Sequence, residues 1–181
     1  MMDKNGSTDT GVSKMLQKIV VCGFLAAIAV APSCGPAEDS PVATSELPAS
    51  YWLASAPDGA LDVKNARQTA TDGSEIVVIG RVGELLDARA QFHLVDRSFD
   101  SCNLRPEDEC ERPWDYCCIE ATELKGGTLV VEFRDGDQLL KTTTRSFHGL
   151  DHLKEVVVRG KVIKDQVGNL IIVASGIHVK A

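Results

Sequence analysis

Aromatic and basic side chains are both in short supply in this sequence. Phe, Trp and Tyr make up 5% of its 181 residues, so aliphatic side chains must fill most of a core. The 19 Lys and Arg residues are outnumbered by 26 Asp and Glu residues, which gives a net charge of −7. Because nonspecific nucleic-acid affinity comes mainly from neutralising phosphates, this balance disfavours a general DNA or RNA binder.

Catalytic signatures are also missing from the sequence. The chain contains no G-x-S-x-G, H-E-x-x-H, Walker A or Rossmann pattern. Its clustered carboxylates, at 107–109 and at Asp135 and Asp137, lie in turn-like sequence, where such groups are mostly solvated. No enzymatic activity is therefore predicted.

The longest apolar run near the start of the chain is too short to cross a membrane. Residues 19–31 (IVVCGFLAAIAVA) are 13 uncharged residues, whereas a spanning helix needs about 20. With Lys14 and Lys18 before it, the run is typical of a secretion signal, predicted here over residues 1–33. The polar stretch before it is long for such a signal, so Met1 and Met15 both remain candidate starts.

A cysteine follows this run and is a candidate for lipid attachment. Ala31-Pro32-Ser33-Cys34 resembles the bacterial lipobox, in which the cysteine is acylated and becomes the mature N-terminus. The sequence therefore predicts an exported protein that Cys34 anchors to a membrane of the cell envelope, with ordinary signal cleavage as the alternative. Because residues 35–50 are rich in Pro, Ser, Ala and acidic residues, a flexible tether is predicted over 34–56.

Residues 57–181 have the patterning of a small β domain. The sequence predicts a short helix over 61–69, capped by Asp58 or Gly59. It predicts β-strands, from runs rich in Val, Ile and Phe, over 75–82, 90–96, 128–134, 155–164, 170–174 and 177–180. Residues 138–144 are expected to pair back after the Asp135-Gly136 turn. Two runs are alike, SEIVVIGRV at 74–82 and KEVVVRGKV at 154–162, and the glycine in each marks a bulge or bend.

The strand motifs, in this order, resemble the OB fold, particularly its anticodon-binding and helicase-type members. The corresponding segments are Val77–Val82, Phe92–Asp96, Thr128–Phe133, Val156–Val162 and Leu170–Val179. The resemblance implies an all-β, five-stranded barrel with a binding face on its middle strands and adjoining loops. Nucleic-acid members of the family stack bases on exposed aromatics. Only Phe92 and Phe133 lie in the relevant strands here, and both suit a core equally well, so nucleic-acid binding is not carried over.

The connection between the second and third of these strands is long and rich in cysteine. It runs for 31 residues, from Arg97 to Gly127, where about four to six are common. Within it, the block Pro113–Cys118 (PWDYCC) is similar to one in exported proteins of planctomycete-type bacteria. Four of the six cysteines lie in this connection, namely Cys102, Cys110, Cys117 and Cys118.

Two disulfides are the first prediction for these four cysteines, because exported proteins meet an oxidising environment. Bridging Cys117 to Cys118 would close a strained ring. Cys102 and Cys110 are therefore expected to pair with those two residues, in an order that the sequence does not fix.

A zinc or copper site, or a thiol-redox pair, is the alternative prediction for the cluster. In that case the thiolates would act with His93, His148 or His152. His148 and His152 have the spacing to share one helix face. The pattern C-x7-C-x6-C-C differs from the C-x2-4-C of common metal sites, so no cofactor is predicted.

The residues Trp114, Asp115 and Tyr116 lie between these cysteines and have two interpretations. They form an exposed recognition tip whose rigid rings anchor a partner, or Trp114 simply covers one end of the barrel, which is the preferred interpretation. The sequence as a whole predicts a lipid-anchored, OB-like binding module of the cell envelope whose partner is an envelope protein or a glycan. A metal-binding or thiol-redox protein and an OB-fold nucleic-acid binder are the alternatives.

Overall fold

A computed structural model describes residues 46–105, 107 and 109–181. The secretion signal, Cys34 and the first part of the tether lie outside these residues, as does Asp108. The two helices are α1 (Val63–Thr69) and α2 (Ala121–Gly126), and the strands are β1 (Leu61–Asp62), β2 (Glu75–Leu85), β3 (Gln91–Val95), β4 (Thr128–Glu132), β5 (Arg134–Asp135), β6 (Gln138–Leu139), β7 (Glu155–Lys164) and β8 (Leu170–Val179). In this part of the chain, no helix has the length and apolar character needed to span a membrane.

Five of the strands close into a barrel. Around the ring, β2 pairs with β3, β3 with β4, β4 with β8, β8 with β7, and β7 with β2 again. Every pair is antiparallel except β4 with β8, which is parallel. This closed order of five strands is an OB-like barrel, so the predicted all-β fold with a short N-terminal helix and a long cysteine-rich loop is confirmed.

The alternation of side chains in the strands determines the interior of the barrel. On β3, Phe92 and Leu94 are fully buried, and on β4, Leu129 and Val131 occupy the equivalent inward positions. Successive residues of a strand point to opposite faces, so the residues between them lie on the outer face of the same two strands. That outer face is the one on which the candidate site lies.

The two glycines of the similar runs allow neighbouring strands to approach closely. A β-carbon at Gly160 would lie 2.3 Å from the carbonyl oxygen of Val173, and one at Gly80 would lie 2.7 Å from that of Val95. Beside Gly160 the register between β7 and β8 shifts by one residue, as a bulge does. A bulge therefore lies beside Gly160 as predicted, with its extra residue on the neighbouring strand β8, whereas in β2 the register shifts after Val82 rather than at Gly80.

The last strand, β8, is continuous from Leu170 to Val179, as the resemblance to the OB fold implied. The two runs that the local pattern predicted, 170–174 and 177–180, are joined through Ser175 and Gly176. Opposite them, Arg159 pairs with Gly176 and Gly160 pairs with Ala174, so Ser175 is the extra residue of the bulge. A small polar residue followed by glycine is thus a bulge within this strand.

Residues 46–56, which the sequence assigned to the tether, pack against the barrel. Leu47 is buried in the main core, and the Tyr51 hydroxyl donates a hydrogen bond to the carbonyl of Arg134 at 2.7 Å. Trp52 forms a parallel bridge with Ile177 of β8. The packed domain therefore begins before residue 57, because a few large apolar side chains within a Pro- and Ser-rich stretch are enough to bind it to the barrel.

Two local predictions also need correction. Helix α1 begins at Val63 because Leu61–Asp62 forms the short strand β1, which pairs in parallel with β2, and its N-cap is Asp62 rather than Asp58 or Gly59. The strand expected over 138–144 is only Gln138–Leu139, paired with β5. Helix α2 was not predicted. The carboxylate of Glu120 caps it by accepting from the backbone amides of Thr122 and Glu123.

Substitution of Gly160 tests whether the close approach of β7 to β8 at this residue sets the stability of the barrel. We expect Gly160→Ala to lower the free energy of unfolding by about 1–3 kcal/mol, because the new methyl group overlaps the backbone of β8. Gly126→Ala is the matched control, since a β-carbon there meets nothing within 4 Å, and we expect a change within about 1 kcal/mol. Urea unfolding followed by circular dichroism measures both, and equal effects of the two variants would contradict this account.

Candidate functional site

A groove of about 540 Å³ lies on the outer face of the two middle strands. Its floor is formed by outward side chains of β3 and β4, among them His93 and Val130. One wall is the long connection after β3, and the others come from α1, α2, the end of β2 and the turn between β7 and β8. In OB-type barrels the same face and the adjoining loops bind ligands.

The long connection has a small core of its own. Val95, Phe99 and Tyr116 are buried together, with Ile119, Leu124 and Leu153 packed against them. Tyr116 is only 3% exposed, so it is not part of an exposed tip. Burial raises the pKa of its phenol, although the neighbouring Arg81 guanidinium acts in the opposite direction. The apolar residues within the connection thus hold it against the barrel.

Asp96, at the end of β3, ties the start of the connection to α1. Its carboxylate accepts from the backbone amide of Lys64 at 2.8 Å and from that of Ser98 at 3.0 Å. Burial on its own raises the pKa of this carboxyl, but these hydrogen bonds outweigh it and hold the pKa below its ordinary value. Asp96 thereby satisfies a free amide in the first turn of α1, a role that the N-cap side chain of Asp62 does not perform.

Trp114 is fixed at the edge of the groove by a stacking contact. Its ring lies parallel to that of His152, with centroids 3.9 Å apart and planes inclined by 9°. His152 is in turn held by its Nδ1, which lies 2.6 Å from the carbonyl oxygen of Gly83 at the end of β2. Trp114 is half-buried and lines the groove together with Asp115 and Tyr116. A recognition role for these three residues stays a prediction.

The groove carries more positive than negative charge. Three cationic side chains line it, Arg67, Arg112 and Lys125, against the two carboxylates of Glu84 and Asp115. This excess is opposite in sign to the net charge of −7 of the whole chain. Sequence reasoning missed the three cations, because they come from α1, the long connection and α2, and only the fold brings them to one face.

The four cysteines of the connection form one compact cluster. All four Sγ atoms lie within 4.8 Å of one another. The Sγ of Cys117 lies 3.3 Å from that of Cys102 and 3.4 Å from that of Cys110. The Sγ of Cys118 lies 3.7 Å from that of Cys110 and 3.9 Å from that of Cys117.

Local backbone structure brings the cysteines together. The backbone amide of Cys102 donates to the carbonyl of Asp115 at 2.8 Å, and that of Asn103 donates to the carbonyl of Pro113 at 2.6 Å. The chain thus folds back on itself and sets Cys102 beside Cys117. The amide of Cys117 also bonds to the sulfur of Cys102.

The structure differs from the sequence prediction in the state of these side chains. Among residues 46–105, 107 and 109–181, no disulfide joins any two of the four cysteines. Because an S–S bond is only about 2.05 Å long, the sulfurs are in contact without being bonded. The two predicted disulfides are therefore not formed in this structure, although Cys102 with Cys117 and Cys110 with Cys118 are close enough to pair.

The histidines proposed as additional ligands lie elsewhere. In the described part of the chain, the group of side chains placed to hold a metal consists of the four cysteines alone. His93 lies on the floor of the groove, with its Nδ1 3.6 Å from a carboxylate oxygen of Glu84. His148 stacks on Trp52, with ring centroids 4.0 Å apart, whereas His152 stacks on Trp114. His148 and His152 therefore do not share a helix face, since the helical turn that contains His148 ends at Gly149.

Crowding changes the acidity of Cys102 and Cys110 in opposite directions. Burial tends to raise the pKa of Cys102, but hydrogen bonds from Cys117 and Cys110 outweigh it and lower this pKa. Hydrogen bonds with Cys102 and Cys117 raise the pKa of Cys110 to about 11.

Comparisons with known proteins give only distant structural likenesses. No protein-family model matches the sequence, and no curated protein matches it. The chain is similar to the hypothetical protein ygiW from E. coli, with 14% identity and a TM-score of 0.36 over 68% of this chain and 94% of that one. It is also similar to the OBody AM1L10 bound to hen egg-white lysozyme, with 16% identity and a TM-score of 0.39 over 70% and 98% of the two chains. A third likeness is to Schizosaccharomyces pombe Pot1pC bound to ssDNA, with 10% identity and a TM-score of 0.39 over 68% and 87%.

Substitution of Asp96 tests whether its carboxylate anchors the connection. We expect Asp96→Asn to lower the free energy of unfolding by about 1–3 kcal/mol near neutral pH, because a charge-assisted acceptor of backbone amides is lost. The lowered pKa means that this stabilisation is present above the unfolded-state pKa of about 3.9 and is lost as the pH falls through the folded-state value.

Urea titrations of the Asp96→Asn variant and the parent at neutral and acidic pH measure this effect. The difference between them should shrink as the pH falls below about 4. Asp100→Asn, a substitution at an exposed residue of the same connection, is the control and should change little at either pH. A difference for Asp96→Asn that does not vary with pH would contradict the anchoring role.

Proposed function

We propose that this protein is a binding module of the cell envelope, exported and anchored through a lipid on Cys34, and that its groove over β3 and β4 holds an acidic glycan. The observation that carries the proposal is the groove itself. It lies on the outer face of the middle strands and is walled by residues of the 31-residue connection after β3. No enzymatic step is part of the proposal.

The size and lining of the groove support a small-ligand site. Its volume of about 540 Å³ is within the range of about 300–1,000 Å³ typical of ligand pockets. The floor combines apolar strand residues such as Val95 and Val130 with the polar side chains of His93 and Thr128. An apolar surface with a few fixed polar groups is the usual composition of a specific binding site.

The charge of the groove supports an acidic ligand. Arg112 and Lys125 are exposed on its walls, and a guanidinium pairs with a carboxylate through two hydrogen bonds. The half-buried indole of Trp114 adds a flat apolar surface, which can pack against the face of a sugar ring. An acidic oligosaccharide offers both a carboxylate and such a face, and of the two partners that the sequence indicated, a glycan fits a groove of this size.

Nucleic acid is disfavoured as the ligand. Phe92 and Phe133, the two aromatic residues of the relevant strands, are fully buried in the core and therefore offer no platform for base stacking.

Export and lipid anchoring rest on the sequence. The apolar run at 19–31, the basic residues before it and the lipobox-like segment ending at Cys34 support this part of the proposal. A glycan-binding module tethered to the envelope would meet its ligand there.

Binding of a defined acidic oligosaccharide tests the groove. We expect tetragalacturonic acid to bind the full-length protein and maltotetraose, which is neutral, to bind much more weakly. Arg112→Glu should weaken tetragalacturonate binding by about tenfold or more, because a carboxylate replaces its cationic partner. Isothermal titration calorimetry at fixed salt measures each affinity.

The control for charge alone is Lys161→Glu, a reversal at an exposed position on β7 that does not line the groove. The affinity of this variant for tetragalacturonate should stay within about twofold of the parent's affinity, since exposed charges farther apart than the Debye length are screened. Equal weakening by both variants, or absence of tetragalacturonate binding, would overturn the groove as an acidic-glycan site.

Lipid anchoring has a separate test at Cys34. When the full-length chain is produced in a bacterium with radiolabelled palmitate, we expect the label on the protein and partition into the detergent phase. Cys34→Ser should abolish both, whereas Cys22→Ser, a cysteine within the secretion signal, should leave both unchanged. Label that persists in Cys34→Ser would show that the acylation site is elsewhere.

A further inference from the structure

We propose that Cys102, Cys110, Cys117 and Cys118 bind one zinc ion as a tetrahedral tetrathiolate site, and that this ion fixes the wall of the groove. The observation behind the proposal is the meeting of four sulfurs around one point within 4.8 Å. Zinc binding by this cluster does not depend on what the groove holds.

The sulfur separations match those of a tetrahedral zinc site. A Zn–S bond of about 2.3 Å in a tetrahedron places the sulfurs about 3.8 Å apart. The four short separations here, for the pairs 102–117, 110–117, 110–118 and 117–118, are 3.3, 3.4, 3.7 and 3.9 Å. Small movements of the side chains would therefore complete the coordination shell without rearranging the backbone.

A pair of disulfides explains the arrangement less well. Two bridges require two sulfur–sulfur contacts and no closeness between the pairs. Here Cys117 lies almost as near to Cys110 as to Cys102, at 3.4 and 3.3 Å. Mutual proximity of all four sulfurs is what a shared central ion requires.

The ligand set favours zinc over copper(II) and over an iron–sulfur cluster. Four thiolates in a tetrahedral arrangement are typical of zinc, and no histidine or carboxylate is part of the group. Copper(II) prefers tetragonal sites of nitrogen and oxygen ligands. An iron–sulfur cluster contains several atoms between its cysteines and would hold their sulfurs farther apart than a single ion does.

The exposure of the four cysteines allows a metal ion to enter, and their number suits a structural metal site. Cys117 and Cys118 are exposed and Cys110 is half-buried, whereas Cys102 is 3% exposed. A metal ion can therefore enter from solvent, and four protein ligands leave no open position for catalysis. The amide of Cys117 that bonds to the sulfur of Cys102 is an outer contact that orients a thiolate ligand.

The position of the cluster gives the ion a role in the groove. Arg112, Trp114 and Asp115, which line the groove, lie among the six residues between Cys110 and Cys117. A metal bound at both ends of this short segment restricts its conformations, as any cross-link restricts a loop. In the proposed function, the bound metal holds this wall of the groove in place before a ligand binds.

If the protein is exported into an oxidising compartment, disulfide formation competes with zinc binding. Disulfide formation would consume the same four thiols, with two electron pairs passing to an oxidant of the compartment. Because the free thiolate is the species that attacks in disulfide exchange, a metal bound to the thiolates slows this reaction. Zinc content and disulfide content are therefore alternatives that a single sample can distinguish.

The experiment determines metal and redox state together on the full-length protein. The protein is purified from its membrane fraction without reductant or chelator, and elemental analysis and a native mass spectrum are recorded. Cobalt(II) is then exchanged into the site to obtain its visible spectrum. Cys118→Ser removes an exposed ligand, Asp100→Asn changes an exposed residue of the same connection outside the cluster, and circular dichroism checks that the barrel is folded in both.

We expect about one zinc per chain and the absorption bands of a tetrahedral cobalt–thiolate complex. Zinc retained after dialysis should fall by about tenfold or more in Cys118→Ser and stay unchanged in Asp100→Asn. A metal-free chain lighter by four hydrogens, iron in place of zinc, or equal zinc in Cys118→Ser would overturn the proposal. If zinc binds but tetragalacturonate does not, the metal site stands and the proposed function fails.

Discussion

Closure of the five-strand ring depends on the close passage of backbones at Gly80 and Gly160. At both positions a side chain would overlap a neighbouring carbonyl oxygen, 2.7 Å away for Gly80 and 2.3 Å away for Gly160. With only hydrogen atoms there, β7 can coil and pair with both β2 and β8. The closed ring then fixes which side of β3 and β4 faces outward, and therefore where a ligand and the long connection can lie.

The connection after β3 becomes part of the site because it is held at several points. Asp96 joins its start to α1, a small core around Phe99 and Tyr116 holds its middle, and the stack of Trp114 on His152 fixes its edge. Together these contacts hold a long acidic and cysteine-rich segment along the outer face of β3 and β4. There it supplies the charged side chains of Arg112 and Asp115 and the aromatic surface of Trp114.

The sequence predicted the features that depend on local pattern. The bounds of β7 agree with it. The positions of the barrel strands follow from Val- and Ile-rich alternation interrupted by glycines, and their closure into a five-stranded barrel was implied by the resemblance to the OB fold. Packing of Tyr51 and Leu47 on the barrel was missed, because it depends on partners distant in the chain. The cations that line the groove and the approach of the four sulfurs were missed for the same reason. The spacing C-x7-C-x6-C-C matches no common metal-site pattern and therefore disfavoured a metal site. The structure nevertheless brings the sulfurs together, because the chain folds back between Cys102 and Cys117.

A crystal structure with anomalous data collected at the zinc absorption edge tests most directly whether the cysteine cluster is a metal centre that shapes the binding face. The account predicts one anomalous peak about 2.3 Å from the sulfurs of Cys102, Cys110, Cys117 and Cys118, with Trp114 against His152 at the edge of the groove. Electron density joining the sulfurs in two pairs about 2.05 Å apart, with no peak between them, would contradict it.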